Sequence, residues 1–269
     1  MTTDPRIATF RTLHQSGCFV IPNPWDVGSA RLLVQLGFPA LATTSSGFAW
    51  TLGRPDNRVT LDEALGHFRA IAAGVPVPVN GDFEGGFAVD PEGVAGNVTK
   101  AVATGIAGVS IEDSTGNAAD PLFPFQLAVD RVRAARQAID RSGTGVLLTG
   151  RSEGFIVGRP DLTETIRRLT AYADAGADCL YAPGIRTPAD IAAVVAAVAP
   201  KPVNVLVGAD FTTVADLARA GVRRISVGGA LARAALTGFL GAAREIAEHG
   251  TFVGLAKSLP FADIERSFS

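Results

Sequence analysis

The sequence predicts an α/β protein: one (β/α)8 TIM barrel spanning residues 1–269, with a helical extension at its C-terminal end. Three observations carry this reading. Eight short apolar, β-branched runs recur along the chain, each ending in polar or glycine-rich residues. Longer amphipathic stretches of helical periodicity separate them. Turns of one kind, GIAG, DAGAD and RAGVRR, lead into successive runs, as a repeated αβ unit requires. An open doubly wound sheet is the weaker alternative, because no GxGxxG follows the first run.

In chain order, the runs begin with CFVIPNPWD (18–26) and PALATTSSG (39–47). A helix follows in TLDEALGHFRAIAAG, where Thr60 and Glu63 form a capping box and Gly74 marks the stop. The third run is VPVPVNGDFEGG (75–86), and the next helix takes Asp90 as its cap with Pro91 at the first helical position. AGVSIEDS (107–114) and GVLLTGRSE (145–153) come next, then a helix from Asp161 to Gly176. ADCLYAPG (177–184), KPVNVLVG (201–208) and RRISVGG (223–229) complete the eight, and Gly228-Gly229 open the helix ALARAALTGF.

Composition limits the function. With 269 residues and 47% apolar content the chain fills a core, which excludes disorder. A net charge of -2, from 24 basic and 26 acidic residues without runs of either sign, gives no footprint for nucleic acid or anionic lipid. Small metabolites are the expected partners. The beginning, MTTDPRIATF, lacks basic and apolar targeting segments, and no apolar stretch is long enough to span a bilayer, so a soluble, cytoplasmic protein is expected. Cys18 and Cys179 lie in strand-like runs and read as buried, reduced thiols.

Barrel enzymes place their chemistry at the C-terminal ends of the strands. A Schiff-base mechanism needs a lysine there, yet Lys100 lies in a helical pattern, Lys201 begins a strand and Lys257 is near the C-terminus. A zinc site needs His or Cys ligands, and His14, His67 and His249 fall in helical stretches, where solvent-facing positions are expected. What remains is acidic: Asp82, Glu84, Glu112, Asp113 and Asp56, with Arg151 as the accompanying cation. Such carboxylates repel one another unless a cation balances them, and hard oxygen ligands suit Mg2+ or Mn2+. The bland reading is that individual acids cap helices. Arg151 either clamps a substrate carboxylate or forms a rim ion pair with Glu112 or Glu153. Thr43 to Gly47 offers backbone amides for an anion, and Gly228-Gly229 forms either a phosphate cradle or a tight turn.

The Ser46-Gly47 turn followed by LGRPD to Asp56, NGDFEGGF after strand 3, SIEDS after strand 4 and GRSEGF after strand 5 together resemble the isocitrate lyase and phosphoenolpyruvate mutase superfamily over essentially the whole chain. The resemblance implies a Mg2+-dependent barrel that makes or breaks a C–C or C–P bond beside a pyruvate-like enolate. It also implies a homo-oligomer, dimer or tetramer, in which the last barrel helix is exchanged between subunits. Carried over, Ser46, Gly47 and the Phe48 amide hold the substrate carboxylate, with Arg151 on the carboxylate and oxo group; Asn204, at the end of strand 7, joins the binding set by its position. Asp82, Glu84 and Glu112 form the metal set, Asp56 stands near the metal, and Glu112, Asp56, Arg151 and Tyr181 are the catalytic candidates. Tyr181, or a water on Glu84, is the candidate proton donor.

Two departures shape the expected activity. Asn80 occupies the position of the first paired aspartate, and EDSTGNAADPLFPF contains no KKCGH-like segment. A cysteine-dependent lyase is therefore disfavoured, and PLFP reads as a gate. The expected activity is Mg2+-dependent lyase or decarboxylase chemistry on a small 2-oxo or 2-hydroxy di- or tricarboxylic acid. The alternatives are phosphonopyruvate mutase or hydrolase chemistry and, from another class, a non-catalytic 2-oxo acid binding barrel. A phosphate-binding sugar isomerase lacks its lysine or histidine bases here.

Overall fold

The computed structural model describes residues 4–268. It begins with α1 (Pro5–Leu13), capped by Asp4, whose carboxylate accepts from the Arg6 amide. Strand β1 (Phe19–Ile21) leads to α2 (Val27–Gln35), β2 (Leu41–Ala42) to α3 (Ser45–Thr51) and α4 (Leu61–Gly74), and β3 (Val79–Asp82) to α5 (Pro91–Val102). Next, β4 (Gly108–Glu112) leads to α6 (Phe125–Ser142), β5 (Leu147–Arg151) to α7 (Leu162–Asp174), and β6 (Cys179–Tyr181) to α8 (Pro188–Val198). Finally β7 (Val203–Leu206) leads to α9 (Val214–Arg219) and β8 (Arg224–Ser226) to α10 (Ala230–His249), before a 3-10 turn (Val253–Lys257) and α11 (Phe261–Arg266).

All ladders are parallel, in the order β1-β8-β7-β6-β5-β4-β3-β2. Between β1 and β2 the Ala42 amide donates to the Pro22 carbonyl at 3.1 Å, so the barrel is nearly closed. This is the predicted (β/α)8 architecture. Its helices start where the caps place them: Thr60 and Glu63 form the reciprocal box on α4, and Asp90 accepts from the Gly93 amide on α5 at 2.7 Å. Strand alternation does the rest. Val109, Leu148, Val205 and Ile225 are buried in the apolar core, while Ser110, Thr149, Asn204 and Arg224 occupy the alternate positions.

Phe10 of α1 closes the lower end of the barrel. It packs so near β4 that a Cβ at Gly108 would lie 2.6 Å from its ring, which is why that position is a glycine. His14, just beyond α1, stands edge-on to Phe10 and Phe19 and is buried, and His67 of α4 is buried against Phe48. The expectation of solvent-facing histidines therefore holds only for His249. Burial pushes the imidazoles of His14 and His67 down to about 3 and about 4, so both are neutral. Cys179 is buried and Cys18 half-buried, both as free thiols.

Two further local readings change. The run 39–47 does not stay extended: Thr44 caps α3, so Ser45 onward is helical. The PLFP segment folds back on the end of β4, with a bridge between Ser114 and Leu122 and the Thr115 amide donating to the Pro121 carbonyl at 3.0 Å. No helix is long and apolar enough to cross a membrane among the described residues. On α10 only Ala232 is buried, while Leu236, Phe239 and Leu240 are exposed.

Candidate active site

Strand tips and the first turns after β2 and β8 enclose a cavity of about 160 Å3 at the C-terminal end of the barrel. Ser46, Asp56, Asp82, Arg151, Tyr181 and Gly229 wall it, and Asn80, Asn204 and Arg224 line it from the strands. Glu84 and Glu112 border an adjoining cleft, which Asp56 shares. The structure thus brings most of the expected residues to one rim, divided between two hollows that share Asp56.

Arg151 is the centre of the arrangement. Its Nη1 lies 3.1 Å from Glu112 Oε2 and 3.4 Å from Asp82 Oδ1, its Nε donates to Glu153 Oε1, and its guanidinium stands over the Tyr181 ring. The alternatives left open for Arg151 are not exclusive: it pairs with Glu112 and with Glu153, and Nη2 keeps its donors free of protein partners among the described residues. Burial alone would lower its pKa, but Glu112 and Glu153 hold it well above the usual value.

Five carboxylates share this one guanidinium. Burial raises Glu112 and Glu153 above the ordinary carboxylate range despite Arg151, and raises Asp56, whose charge is further opposed by Asp82. Glu84, in the left-handed region at φ 47°, is pushed up to about 8 by burial and then by Asp82 and Asp56. Asp82 is fixed from two sides: its amide donates to Thr43 Oγ1 at 2.9 Å, and its Oδ2 accepts from the Ser45 amide at 3.0 Å.

Asp113 leaves the cluster that the sequence placed it in. It turns inward and accepts from the Glu153 amide (2.7 Å), Arg168 (3.1 Å) and the Tyr172 hydroxyl (2.7 Å), a structural role. Ser46 is on the cavity wall, whereas the Gly47 and Phe48 amides donate to Thr44 within α3 and the Phe48 ring stacks on His67. The Val227 and Gly228 amides both donate to Asn23 Oδ1 at 2.9 Å, so these two amides are committed to protein, while Gly228 and Gly229 line the cavity. A Cβ at Gly229 would lie 2.8 Å from Ser46 Oγ; glycine there admits Ser46 and Trp50. Burial pushes the Tyr181 phenol up to about 12, so it keeps its proton.

A divalent cation has a chemically suitable place here. No group of three or more His, Cys, Asp or Glu side chains forms a ready cage among the described residues. Mg2+ does not need one, because it takes one or two carboxylates and retains waters. Asp82 and Asp56 face the cavity, and with Glu84, Glu112 and Glu153 beside them the acids outnumber the two guanidinium groups of Arg151 and Arg224, so the donor set fits Mg2+. Asn80 Oδ1 is buried without a hydrogen-bond partner.

Sequence reasoning missed two groups. Arg131 of α6 stacks on Phe123 and donates to the carbonyls of Glu112 (3.2 Å), Ala88 (3.0 Å) and Gly85, fixing the rim around Glu84 and Glu112. Arg224 lines the cavity from β8, and the signal for it was present: in RRISVGG the alternate positions Arg224 and Ser226 are polar within an otherwise apolar run.

A crystal structure from Burkholderia cenocepacia J2315, provisionally described as a lyase/mutase, superposes with a TM-score of 0.96 at 47% identity, covering 98% of this chain and 96% of that one. An uncharacterized protein of Mycobacterium tuberculosis is 32% identical over 259 residues, covering 96% of this chain and 95% of its own. An oxaloacetate decarboxylase of Bradyrhizobium diazoefficiens is 32% identical over 196 residues, covering 69% of this chain and 65% of its own. The family profile described as phosphoenolpyruvate phosphomutase matches residues 10–247. On the fold, the rim residues and this match, the chain belongs to the phosphoenolpyruvate phosphomutase family.

Proposed function

We propose that the chain is a Mg2+-dependent lyase of decarboxylase type, cleaving a C–C bond of a small 2-oxo or 2-hydroxy dicarboxylic acid through an enolate. The observation that carries this is Arg151, held by Asp82, Glu112 and Glu153 over Tyr181 in a cavity with excess acid. The similarity to an oxaloacetate decarboxylase supports the choice of a C–C bond.

Asp82 and Asp56 would hold the cation, with Glu84 and Glu112 behind them. A bound cation would supply Lewis-acid polarisation of the C2 oxygen and would balance enolate charge there. Arg151 Nη2 donates to the same oxygen or to the adjacent carboxylate, and its preset position stabilises charge as it develops. The Ser46 hydroxyl orients the carboxylate. Tyr181 Oη retains the proton that quenches the enolate carbon, a task for which no cysteine stands at the rim.

The test is pyruvate or 2-oxo acid release from a substrate panel including oxaloacetate, with Mg2+ and after its removal. Metal-dependent release lost in Asp82→Ala and in Arg151→Ala supports the reading, and full turnover in either variant refutes it. The second reading, C–P bond chemistry, follows from the family match; phosphorus NMR on phosphonopyruvate separates the two. Binding across the panel without turnover would identify a 2-oxo acid binding barrel. The exposed Leu236, Phe239 and Leu240 on α10 support assembly as a homo-oligomer through that helix.

A further inference from the structure

Two guanidinium groups line the cavity, and their surroundings differ. Arg151 is surrounded by carboxylates. Arg224 is 4% exposed, and none of its partners carries a charge: Nε donates to Asn204 Oδ1 at 2.9 Å, Nη2 to Thr149 Oγ1 at 3.0 Å, and Nη1 lies 3.4 Å from His14 Nε2. His14 Nδ1 lies 2.7 Å from the Phe10 carbonyl, which fixes the proton on Nδ1 and leaves Nε2 as an acceptor toward Arg224. Among the described residues no carboxylate forms an ion pair with Arg224.

An arginine stays charged, and a buried charge without a counter-ion is unfavourable. Arg131 is also buried without a carboxylate, but it commits its donors to three carbonyls and does not line this cavity. Arg224 has five N–H donors and three protein partners. It belongs to the same cavity as Arg151 but one layer deeper, since its partner Thr149 precedes Arg151 by two residues on β5.

We propose that Arg224 is a specificity-determining residue that receives the second anionic group, carboxylate or phosphonate, of a 2-oxo acid whose C2 oxo group and adjacent carboxylate lie at Arg151. Asn204 and Thr149 are positioning residues that hold its guanidinium plane. The inference rests on the functional reading above and deepens it: the site prefers substrates with a charged tail and discriminates against those with an uncharged one. A planar guanidinium suits either group, because both offer paired anionic oxygens.

The experiment measures affinities in saturating Mg2+ by ligand-induced thermal stabilisation, for oxalate, 2-oxobutyrate, oxaloacetate and phosphonopyruvate. The wild type is expected to bind oxaloacetate or phosphonopyruvate at least about tenfold more tightly than 2-oxobutyrate, and the tighter of the two identifies the tail. Arg224→Gln removes that ratio while leaving oxalate and 2-oxobutyrate within about twofold. Asn204→Asp places a carboxylate against Nε, so it lowers the same ratio and raises the melting temperature without ligand; it decides alone if Arg224→Gln does not fold. A purely structural role would weaken all four ligands together. The proposal is overturned if the wild type shows no charged-tail preference, or if the preference survives either folded variant. Oxalate binding without that preference overturns this inference alone, whereas absence of oxalate binding overturns the functional reading with it.

Discussion

Replacing Glu84 with Gln isolates the electrostatic strain at the rim. The side chain has no hydrogen-bond partner among the described residues, and burial, Asp82 and Asp56 hold its carboxyl at about 8. Because the folded value lies above the ordinary 4.5, the unfolded chain binds fewer protons between those two pH values. The associated stability is complete below about pH 4.5 and is lost as pH rises to about 8. From about pH 5.5 upward the carboxyl crosses about 2.5 pH units, a ceiling of about 3.4 kcal/mol at about 1.36 kcal/mol per unit. Glu84 is partly exposed, and screening reduces this to about 1–2 kcal/mol. Urea unfolding after chelator treatment, at about pH 5.5 and pH 8.5, measures it. The stability of Glu84→Gln relative to the wild type should be greater by about 1–2 kcal/mol at the higher pH than at the lower. Saturating Mg2+ should shrink the difference. Parallel pH dependences, or a relative stability lower at the higher pH, would refute the reasoning.

Three other outcomes follow from the geometry. Gly229→Ala brings a Cβ within 2.8 Å of Ser46 Oγ and 3.0 Å of Trp50, so it should cost about 1–3 kcal/mol in thermal unfolding and weaken oxalate binding. Arg131→Met strands the carbonyls of Gly85, Ala88 and Glu112 and should destabilise by about 2–4 kcal/mol, with Arg131→Lys restoring little because a point charge does not match the fork. Phe239→Glu places a charge at the most exposed apolar position of α10, and light scattering after size exclusion should show smaller particles than the wild type; an unchanged mass would exclude α10 from the interface.

The sequence by itself determined the alternation and its punctuation. Apolar runs of period two, the Thr60–Glu63 box and the Asp90-Pro91 start are local signals, and each appears where its local chemistry places it. Local position also brought Asp82, Glu112, Arg151 and Tyr181 to strand ends, and hence to the rim. The direction in which neighbouring groups turn was decided by tertiary structure. Glu112 and Asp113 are adjacent in SIEDS, yet one reaches Arg151 while the other is drawn inward by Arg168 and Tyr172. His14 and His67 have surface-like neighbours in sequence but pack against aromatic rings contributed by other segments. Arg224 shows the same limit most clearly: its partners Asn204, Thr149 and His14 come from β7, β5 and the end of α1. A pattern of period two states that its side chain shares a face with Ser226. Only the closure and register of the barrel set that face toward the cavity, because side chains from distant strands meet across the barrel axis.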